Sequence, residues 1–310
     1  MKYNYLSIQQ KIISKNIHKS INKILKKNNY ILGQEINILE NKLAKFVGSK
    51  YCIGTSSGTD SLLVALMALG IKRGDEIITT PFSWISAVEI ILLIGAIPVF
   101  CDIDEKTFNI NPALIEKKIS KKTKAIIATS LFGQTCSLKK INKICKKKNI
   151  FFIEDAAQSF GSREGKIYSC NYADISCTSF FPVKPLGCYG DGGACFTNSK
   201  SLSLKLKKIV NHGQIKKNEH LILGSNFRLD TLQAAILIEK LKIFKNEIFL
   251  RNLVAKNYEK LIKKYCPKII TPFIEKNNYS TYSSYTIILN KRNLIFKKLK
   301  NKNFPIFIFY

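Results

Sequence analysis

The chain has 310 residues, of which 46 % are hydrophobic and 23 % are charged. This composition is typical of a soluble globular protein and excludes extensive disorder, and the length allows one large domain with a smaller one. The formal net charge of +29 raises two alternatives: a surface for nucleic acid or anionic membranes, or a compositional drift towards Lys, Ile and Asn. Drift is favoured, because nearly all the positive charge is lysine spread along the chain, whereas arginine is the better residue for phosphate and base contacts.

The nine cysteines and three histidines predict neither a zinc site nor disulfide bonds. No Cys-x-x-Cys pair is present, and an odd cysteine count without a signal peptide is typical of reduced thiols. Residues 1–5 lack the apolar segment of a signal peptide, and the most apolar run, 90–100, is too short to span a bilayer. We therefore expect a cytoplasmic protein with no metal, no membrane and no nucleic-acid partner.

Apolar residues at helical spacing predict helices over 7–27 and 35–46. The chain then alternates between short apolar runs, typical of buried strands, and helical segments. The predicted strands cover 76–79, 98–101, 124–129 and 150–153, and the predicted helices between them cover 59–69, 84–94, 111–120 and 137–148. This alternation predicts an α/β fold with a mostly parallel sheet that is covered on both faces.

The pattern changes after residue 153. Two predicted strands, 173–180 and 193–197, surround a glycine-rich loop, and helices follow at 200–210 and 230–263. The final segment predicts a strand over 282–289, a helix over 294–300 and a strand over 305–310. We therefore predict a first unit over residues 1–235, made of the N-terminal helices and the large domain, and a small α+β C-terminal domain over residues 236–310.

Two segments suit a ligand that has a phosphate and a flat ring. One leads into a predicted helix, and the other follows a predicted strand. Residues 54–60, Gly-Thr-Ser-Ser-Gly-Thr-Asp, open a helix, where free N–H groups and the helix dipole favour a phosphate. An ordinary helix N-cap explains the same residues. Trp84, the single tryptophan, follows a predicted strand and can stack on a flat ring, although core packing accounts for it as well.

A carboxylate and a lysine complete the pattern. Asp155 ends a buried strand, where open α/β sheets bind ligands and where a carboxylate can hold a pyridine nitrogen protonated; helix capping is the alternative. Lys184 stands between two prolines before a glycine-dense loop, which fixes the backbone and lets it pass close to a ligand. A lysine held rigidly and partly desolvated can form a Schiff base, whereas a solvated surface position is the default for any one lysine here.

These segments, in this order, resemble the DegT/DnrJ/EryC1/StrS family of sugar aminotransferases over residues 8–310, with a further matching segment at 223–235. The resemblance implies the aspartate-aminotransferase-like architecture (fold type I) and the cofactor pyridoxal 5'-phosphate. It also implies two half-reactions, in which an amino donor, usually glutamate, aminates the cofactor and a keto-sugar nucleotide then takes the amine.

The resemblance implies a role around the cofactor ring for four residues. Lys184 matches the lysine that binds the cofactor covalently and moves the proton between cofactor and substrate carbons. Asp155 matches the partner of the pyridine nitrogen, and Gln158 matches the residue at the ring hydroxyl. Trp84 matches the aromatic residue that stacks on the ring.

For the cofactor phosphate, the resemblance implies a cup formed by Gly58, Thr59 and Ser179. Asn226 matches a residue that reaches the phosphate of the neighbouring subunit's cofactor. That role requires a homodimer with shared active sites.

For the substrate, the wording of the lysine loop is most similar to members that act on UDP-linked 3-keto-2-acetamido glucuronate. There Arg228 matches an arginine suited to the sugar carboxylate, and Tyr310 matches a substrate-contacting tyrosine. Family members continue past the position of Tyr310, so the alternative function is a truncated, catalytically impaired remnant that keeps only the fold and the dimer.

Overall fold

The computed structural model describes residues 6–310, so the absence of a signal peptide predicted from residues 1–5 lies outside the described residues. The α-helices are α1 (Ser7–Lys27), α2 (Gln34–Val47), α3 (Gly58–Leu69), α4 (Ser86–Leu93), α5 (Pro112–Ile115), α6 (Leu138–Lys148), α7 (Lys200–Ile209), α8 (Thr231–Tyr265) and α9 (Arg292–Asn301). The strands are β1 (Tyr51–Thr55), β2 (Glu76–Thr79), β3 (Ile97–Phe100), β4 (Thr123–Thr129), β5 (Phe151–Asp155), β6 (Arg163–Glu164), β7 (Ile167–Tyr168), β8 (Ile175–Ser179), β9 (Gly193–Thr197), β10 (Gln214–Lys216), β11 (Glu219–His220) and β12 (Asn278–Tyr279).

The central sheet has seven strands in the order β1-β9-β8-β5-β4-β2-β3. Four neighbouring pairs are parallel, and β9 is antiparallel to both of its neighbours, so it alone runs against the other six. The predicted α/β class with a mostly parallel sheet is therefore confirmed. The parallel strands bring their carboxyl ends to one edge, which is where ligands bind in open α/β sheets.

Helices cover both faces of this sheet, as its nearly continuous apolar strands require. Successive strand residues point to opposite faces. Accordingly, one face packs Ile77, Ile127 and Ile153 with Leu62 and Leu66 of α3 and Ile90 of α4. The other face packs Ile78, Ile126 and Phe152 with Leu138 and Ile141 of α6.

Helix α8 links the large sheet unit to the C-terminal region. Its first half is buried against α1 and α2, and it continues without interruption through the predicted boundary at residues 235 and 236 to Tyr265. The division into domains at that boundary stays a prediction.

Two strands predicted near the C-terminal end are wrong. Within 282–289 the only pairing is a single bridge between Ile270 and Ile288, and residues 305–310 form no regular element. Both segments are apolar and aromatic, but a strand also needs a neighbouring backbone to pair with. Here residues 305–310 instead direct side chains onto an aromatic cluster and line an open apolar groove of about 1230 Å³ with α9.

Strand β1 was missing from the predicted elements. Its five residues, Tyr-Cys-Ile-Gly-Thr, run directly into a polar turn and give too short an apolar signal to stand out from a loop. Its pairing with β9 supplies the hydrogen bonds that local sequence does not reveal. Because β1 leads directly into α3, it fixes where the N-terminus of that helix lies.

Candidate active site

Three parallel strands end in polar side chains at the same edge of the sheet. Strand β4 ends at Thr129, β5 at Asp155 and β8 at Ser179. Thr129 and Asp155 are direct register partners, and β8 lies on the other side of β5. The sheet itself therefore gathers these groups.

Asp155 is a buried carboxylate with few internal partners. The Thr129 hydroxyl donates to its Oδ2 over 3.2 Å, and the Ala157 N–H donates to its Oδ1 over 3.0 Å. Burial raises the pKa of Asp155, although the hydrogen bond from Ala157 and the positive charge of Lys184 lower it in part. A carboxylate in this state is stabilised by a protonated nitrogen placed against it.

Lys184 lies in a tight loop beside that carboxylate. The Lys184 N–H donates to the Phe181 carbonyl over 2.9 Å, and a Cβ at Gly187 would stand 2.4 Å from the Pro182 carbonyl oxygen. Only glycine therefore lets the loop close here. Burial lowers the pKa of Lys184, and the charge of Asp155 opposes that shift.

These two pKa shifts have opposite consequences for stability in the protein without cofactor. A lysine with a lowered folded-state pKa costs stability as the pH falls below its ordinary value. A carboxylate with a raised folded-state pKa costs stability as the pH rises above its ordinary value. Both groups are therefore held in these buried positions at some cost to the stability of the fold.

The N-terminus of α3 and the end of β8 meet in close contact. The Ser57 side chain caps the helix by accepting from the Asp60 N–H over 3.0 Å. A Cβ at Gly58 would stand 2.6 Å from the Ser179 Cβ, so glycine is needed for this approach. The Thr59 hydroxyl lies 3.1 Å from the Ser86 hydroxyl of α4. The first N–H groups of a helix have no carbonyl within it, and they form an anion site.

Gln158 connects the sheet edge to the C-terminal region. Its Oε1 accepts from the Phe132 N–H over 3.1 Å, and its Nε2 donates to the Tyr310 hydroxyl over 3.1 Å. Phe132 has a φ of 54°, a left-handed conformation that a bulky residue rarely adopts. Such strain persists only where its surroundings enforce it and is typical of functional sites.

The loop that carries Trp84 crosses close to Asp155. The hydroxyls of Ser83 and Thr129 lie 3.5 Å apart, and Thr129 in turn bonds Asp155. The Trp84 side chain is 64 % exposed. The structure thus brings the tryptophan to the site but leaves much of its ring free for another group.

Asn226 and Arg228 approach from the segment that precedes α8. The Phe227 carbonyl between them accepts from the Ser56 N–H over 2.8 Å, which ties this segment to the loop before α3. Asn226 is exposed. Arg228 donates from Nη1 to Asn211 Oδ1 over 2.7 Å, and its Nε is buried without a hydrogen-bond partner.

Known proteins resemble this chain over nearly its full length. The family model of the DegT/DnrJ/EryC1/StrS aminotransferases matches residues 11–310. The chain belongs to this family. A relative in Pseudomonas aeruginosa, UDP-2-acetamido-2-deoxy-3-oxo-D-glucuronate aminotransferase, is 48 % identical over 98 % of this chain and 84 % of the relative.

Two solved structures have the same fold. A DegT/DnrJ/EryC1/StrS aminotransferase from Brucella abortus superposes with a TM-score of 0.94 at 34 % identity, covering 100 % of this chain and 84 % of that one. NtdA from Bacillus subtilis with bound cofactor PMP superposes with a TM-score of 0.89 at 30 % identity, covering 96 % of this chain and 69 % of that one. The chain is therefore a pyridoxal-phosphate-dependent sugar aminotransferase, and the match favours the enzyme over the impaired remnant.

The residues at the sheet edge fit this cofactor. Gly58 leaves open the space that a Cβ would fill beside Ser179. The buried carboxylate of Asp155 can accept a further hydrogen bond from a nitrogen donor, and Lys184 beside it has a lowered pKa. When bound, the cofactor acts as an electron sink for the carbon that gains or loses the amine. The roles of the individual residues stay predictions.

The sequence reasoning did not identify Thr129 or Phe132. Thr129 ends a predicted strand next to the one that carries Asp155. Its position at the end of that neighbouring strand was the sequence signal that could have identified it. Phe132 contributes its backbone N–H, and nothing in its side chain indicates that contribution. A backbone N–H donor of this kind can be identified only from the folded structure.

Two general findings concern partners. No helix among the residues that the structure describes is long and apolar enough to cross a membrane. Over residues 6–310, no group of three or more His, Cys, Asp or Glu side chains is arranged to hold a metal ion.

Proposed function

We propose that this aminotransferase transfers an amino group from glutamate to the 3-keto group of UDP-linked 2-acetamido-2-deoxy-3-oxo-glucuronate. The observation that carries this proposal is the 48 % identity, over 98 % of the chain, to the aminotransferase of Pseudomonas aeruginosa named for that substrate. Amino-sugar and surface polysaccharide synthesis is the biosynthetic setting that such a product suits, and the cytoplasm is the location that we infer.

Arg228 supports a substrate that carries a carboxylate. Its Nε is buried without a partner, while Asn211 occupies its Nη1. An unpartnered guanidinium donor is costly to bury, and an arginine fork matches a carboxylate with two parallel hydrogen bonds. We infer that the sugar carboxylate completes this site, with Tyr310 contributing from the C-terminal side.

The protein groups have the following proposed roles in amine transfer. Lys184 holds the cofactor and, once released, moves a proton between the cofactor and substrate carbons as a general acid and base. Its lowered pKa raises the fraction of free amine that accepts this proton. Asp155 keeps the pyridine nitrogen protonated, Gln158 contacts the ring hydroxyl, and Trp84 stacks on the ring.

The phosphate of the cofactor is proposed to lie at the N-terminus of α3, held by Gly58, Thr59 and Ser179. Asn226 is proposed to reach the phosphate of the neighbouring subunit, which requires a homodimer. Support for a dimer comes from exposed apolar side chains in the segment that leads to Asn226: Leu221 is 68 % and Leu223 is 82 % exposed. A second copy would remove these surfaces from water.

The test uses the full chain with pyridoxal phosphate, a panel of amino donors and a panel of keto-sugar nucleotides, with 2-oxoglutarate as the readout for glutamate. We expect turnover with the 3-keto glucuronate. Arg228→Lys should raise KM for this substrate by about ten- to a hundredfold, since one charged hydrogen bond contributes about 1.5–3 kcal/mol. It should leave KM for a keto-sugar without a carboxylate unchanged. Equal effects on both substrates would contradict the role of Arg228, and no turnover of the glucuronate would contradict the substrate.

A further inference from the structure

Glu154 is a fully buried carboxylate that the roles above do not use. It precedes Asp155 on β5 and has a relative exposure of 0 %. Because neighbouring strand side chains point to opposite faces, Glu154 lies on the face of the sheet opposite Asp155. Burial raises the pKa of Glu154, and surrounding hydrogen bonds lower it in part. A buried carboxyl group is costly unless hydrogen bonds compensate it.

Donors from three separate segments surround this carboxylate. Its Oε1 accepts from the hydroxyls of Ser130 over 3.0 Å and Ser169 over 2.7 Å. Its Oε2 accepts from the Cys170 N–H over 2.8 Å and from the Ser176 hydroxyl over 3.1 Å. Glu154 thus joins strand β8, the loop that follows β4 and the loop that follows β7.

The first of these segments supports Asp155 directly. Ser130 follows Thr129, whose hydroxyl donates to Asp155 over 3.2 Å. The Ser130 oxygen also accepts from the Cys136 N–H over 2.9 Å, so its own hydrogen is directed to the carboxylate. A hydrogen bond that holds Ser130 therefore also holds the end of strand β4, which carries Thr129, the hydrogen-bond partner of Asp155.

The other two segments lead to the remaining cofactor residues. Ser169 lies 2.7 Å from Ser159, which directly follows Gln158. Ser176 belongs to β8, the strand that ends at Ser179 beside the N-terminus of α3. The bonds from Ser130 and Ser176 therefore hold segments that carry Thr129 and Ser179, and the bond from Ser169 reaches Gln158 through Ser159.

We propose that Glu154 is a positioning residue for the cofactor site, because its carboxylate holds the segments of Thr129 and Ser179 directly, and that of Gln158 through Ser169, in register with Asp155. It acts from the opposite face of the sheet and touches no reacting atom. This inference rests on the roles proposed for Asp155 and its neighbours. It differs from a purely structural role because it predicts a change in how the cofactor is held, besides any change in stability.

The test compares Glu154→Gln with Asp75→Asn. The first change puts an NH₂ group against fixed donors. Asp75 is also a buried carboxylate, but it accepts from the Lys72 N–H over 2.9 Å at the amino edge of the sheet, away from the site. We expect Glu154→Gln to weaken pyridoxal phosphate binding to the apo-protein by at least about tenfold, the smallest loss that one charged hydrogen bond gives, and to alter the absorbance spectrum of the bound cofactor. Asp75→Asn should lower Tm only.

The results for Glu154→Gln, Ser169→Ala and Asp155→Asn can each overturn the proposal. If Glu154→Gln folds, loses thermal stability and keeps the wild-type affinity and spectrum, the proposal is overturned. If it does not fold, Ser169→Ala removes a single hydrogen bond to the same carboxylate and should also weaken cofactor binding by at least about tenfold. Unchanged binding would again overturn the proposal. Asp155→Asn is measured alongside, since an unaltered spectrum there would overturn the role of Asp155 itself, and this proposal with it.

Discussion

The hydroxyl of Tyr310 accepts a hydrogen bond from Nε2 of Gln158 over 3.1 Å, although 152 positions separate the two residues. The same tyrosine ring lies 5.5 Å from that of Phe82, in the loop that leads to Trp84. Gln158 in turn receives the Phe132 N–H. The C-terminal residues therefore form part of the wall of the proposed cofactor site.

This contact predicts a selective effect of Tyr310→Phe. The variant keeps the ring contacts with Phe82 and Phe132 but removes the acceptor of the Gln158 amide. The loss of one neutral hydrogen bond, about 0.5–1.5 kcal/mol, should raise KM for the sugar nucleotide by about three- to tenfold in steady-state assays. Tyr30→Phe, which removes an exposed hydrogen bond to Asn28, is the control and should leave KM unchanged. Equal KM values for all three proteins would contradict the role of Tyr310.

Replacement of Lys184 should change cofactor binding and activity, whereas replacement of an exposed lysine elsewhere should not. Lys184→Ala should abolish the visible absorbance that develops when pyridoxal phosphate is added, and it should lower kcat by at least about a hundredfold, because both the attachment point and the proton carrier are lost. Lys143→Ala, on the exposed side of α6, should match the wild type in both measurements. A visible band that persists in Lys184→Ala would show that another amine binds the cofactor.

The pH dependence of Lys184 should respond to Asp155. The charge of Asp155 raises the pKa of Lys184 against the lowering by burial, so Asp155→Asn should lower that pKa further. In the apo-protein, the pH at which Lys184 is half-reactive towards a small aldehyde should therefore fall, as measured by reductive trapping and mass spectrometry. Asp75→Asn serves as the control with an unchanged midpoint. An upward shift in Asp155→Asn would contradict the electrostatic coupling.

Gly58→Ala tests the contact between α3 and β8. The new Cβ would stand 2.6 Å from the Ser179 Cβ, and overpacking of this kind costs about 1–3 kcal/mol. The helix N-terminus and Ser179 should move apart, so we expect weaker binding of pyridoxal phosphate in addition to a lower Tm. Gly33→Ala is the matched control, because its Cβ would stand 2.6 Å from Thr231 Cγ2, away from the site. If both variants lose stability and neither loses cofactor affinity, the proposed phosphate cup is wrong.

Local sequence determined the elements whose signals lie within a few residues. Apolar periodicity gave α1 and α2 and the strands β2 and β4, to within one residue at each end. Residue chemistry singled out Asp155 and Lys184, because a carboxylate at a strand end and a lysine between prolines stand out without knowledge of neighbours. The structure then brought these two side chains into electrostatic contact.

Tertiary structure alone decided the features that depend on distant partners. Residues 282–289 and 305–310 are apolar enough for strands, but they do not form them because pairing in these segments is limited to the single bridge between Ile270 and Ile288. The backbone N–H of Phe132 meets Gln158 at a residue with a left-handed conformation, which its surroundings hold. Glu154 gathers donors from three segments that sequence separates by up to 46 positions, since packing of the sheet edge brings them together. Hydrogen-bond geometry across the chain is set by the fold, and a pattern of residue types does not contain it.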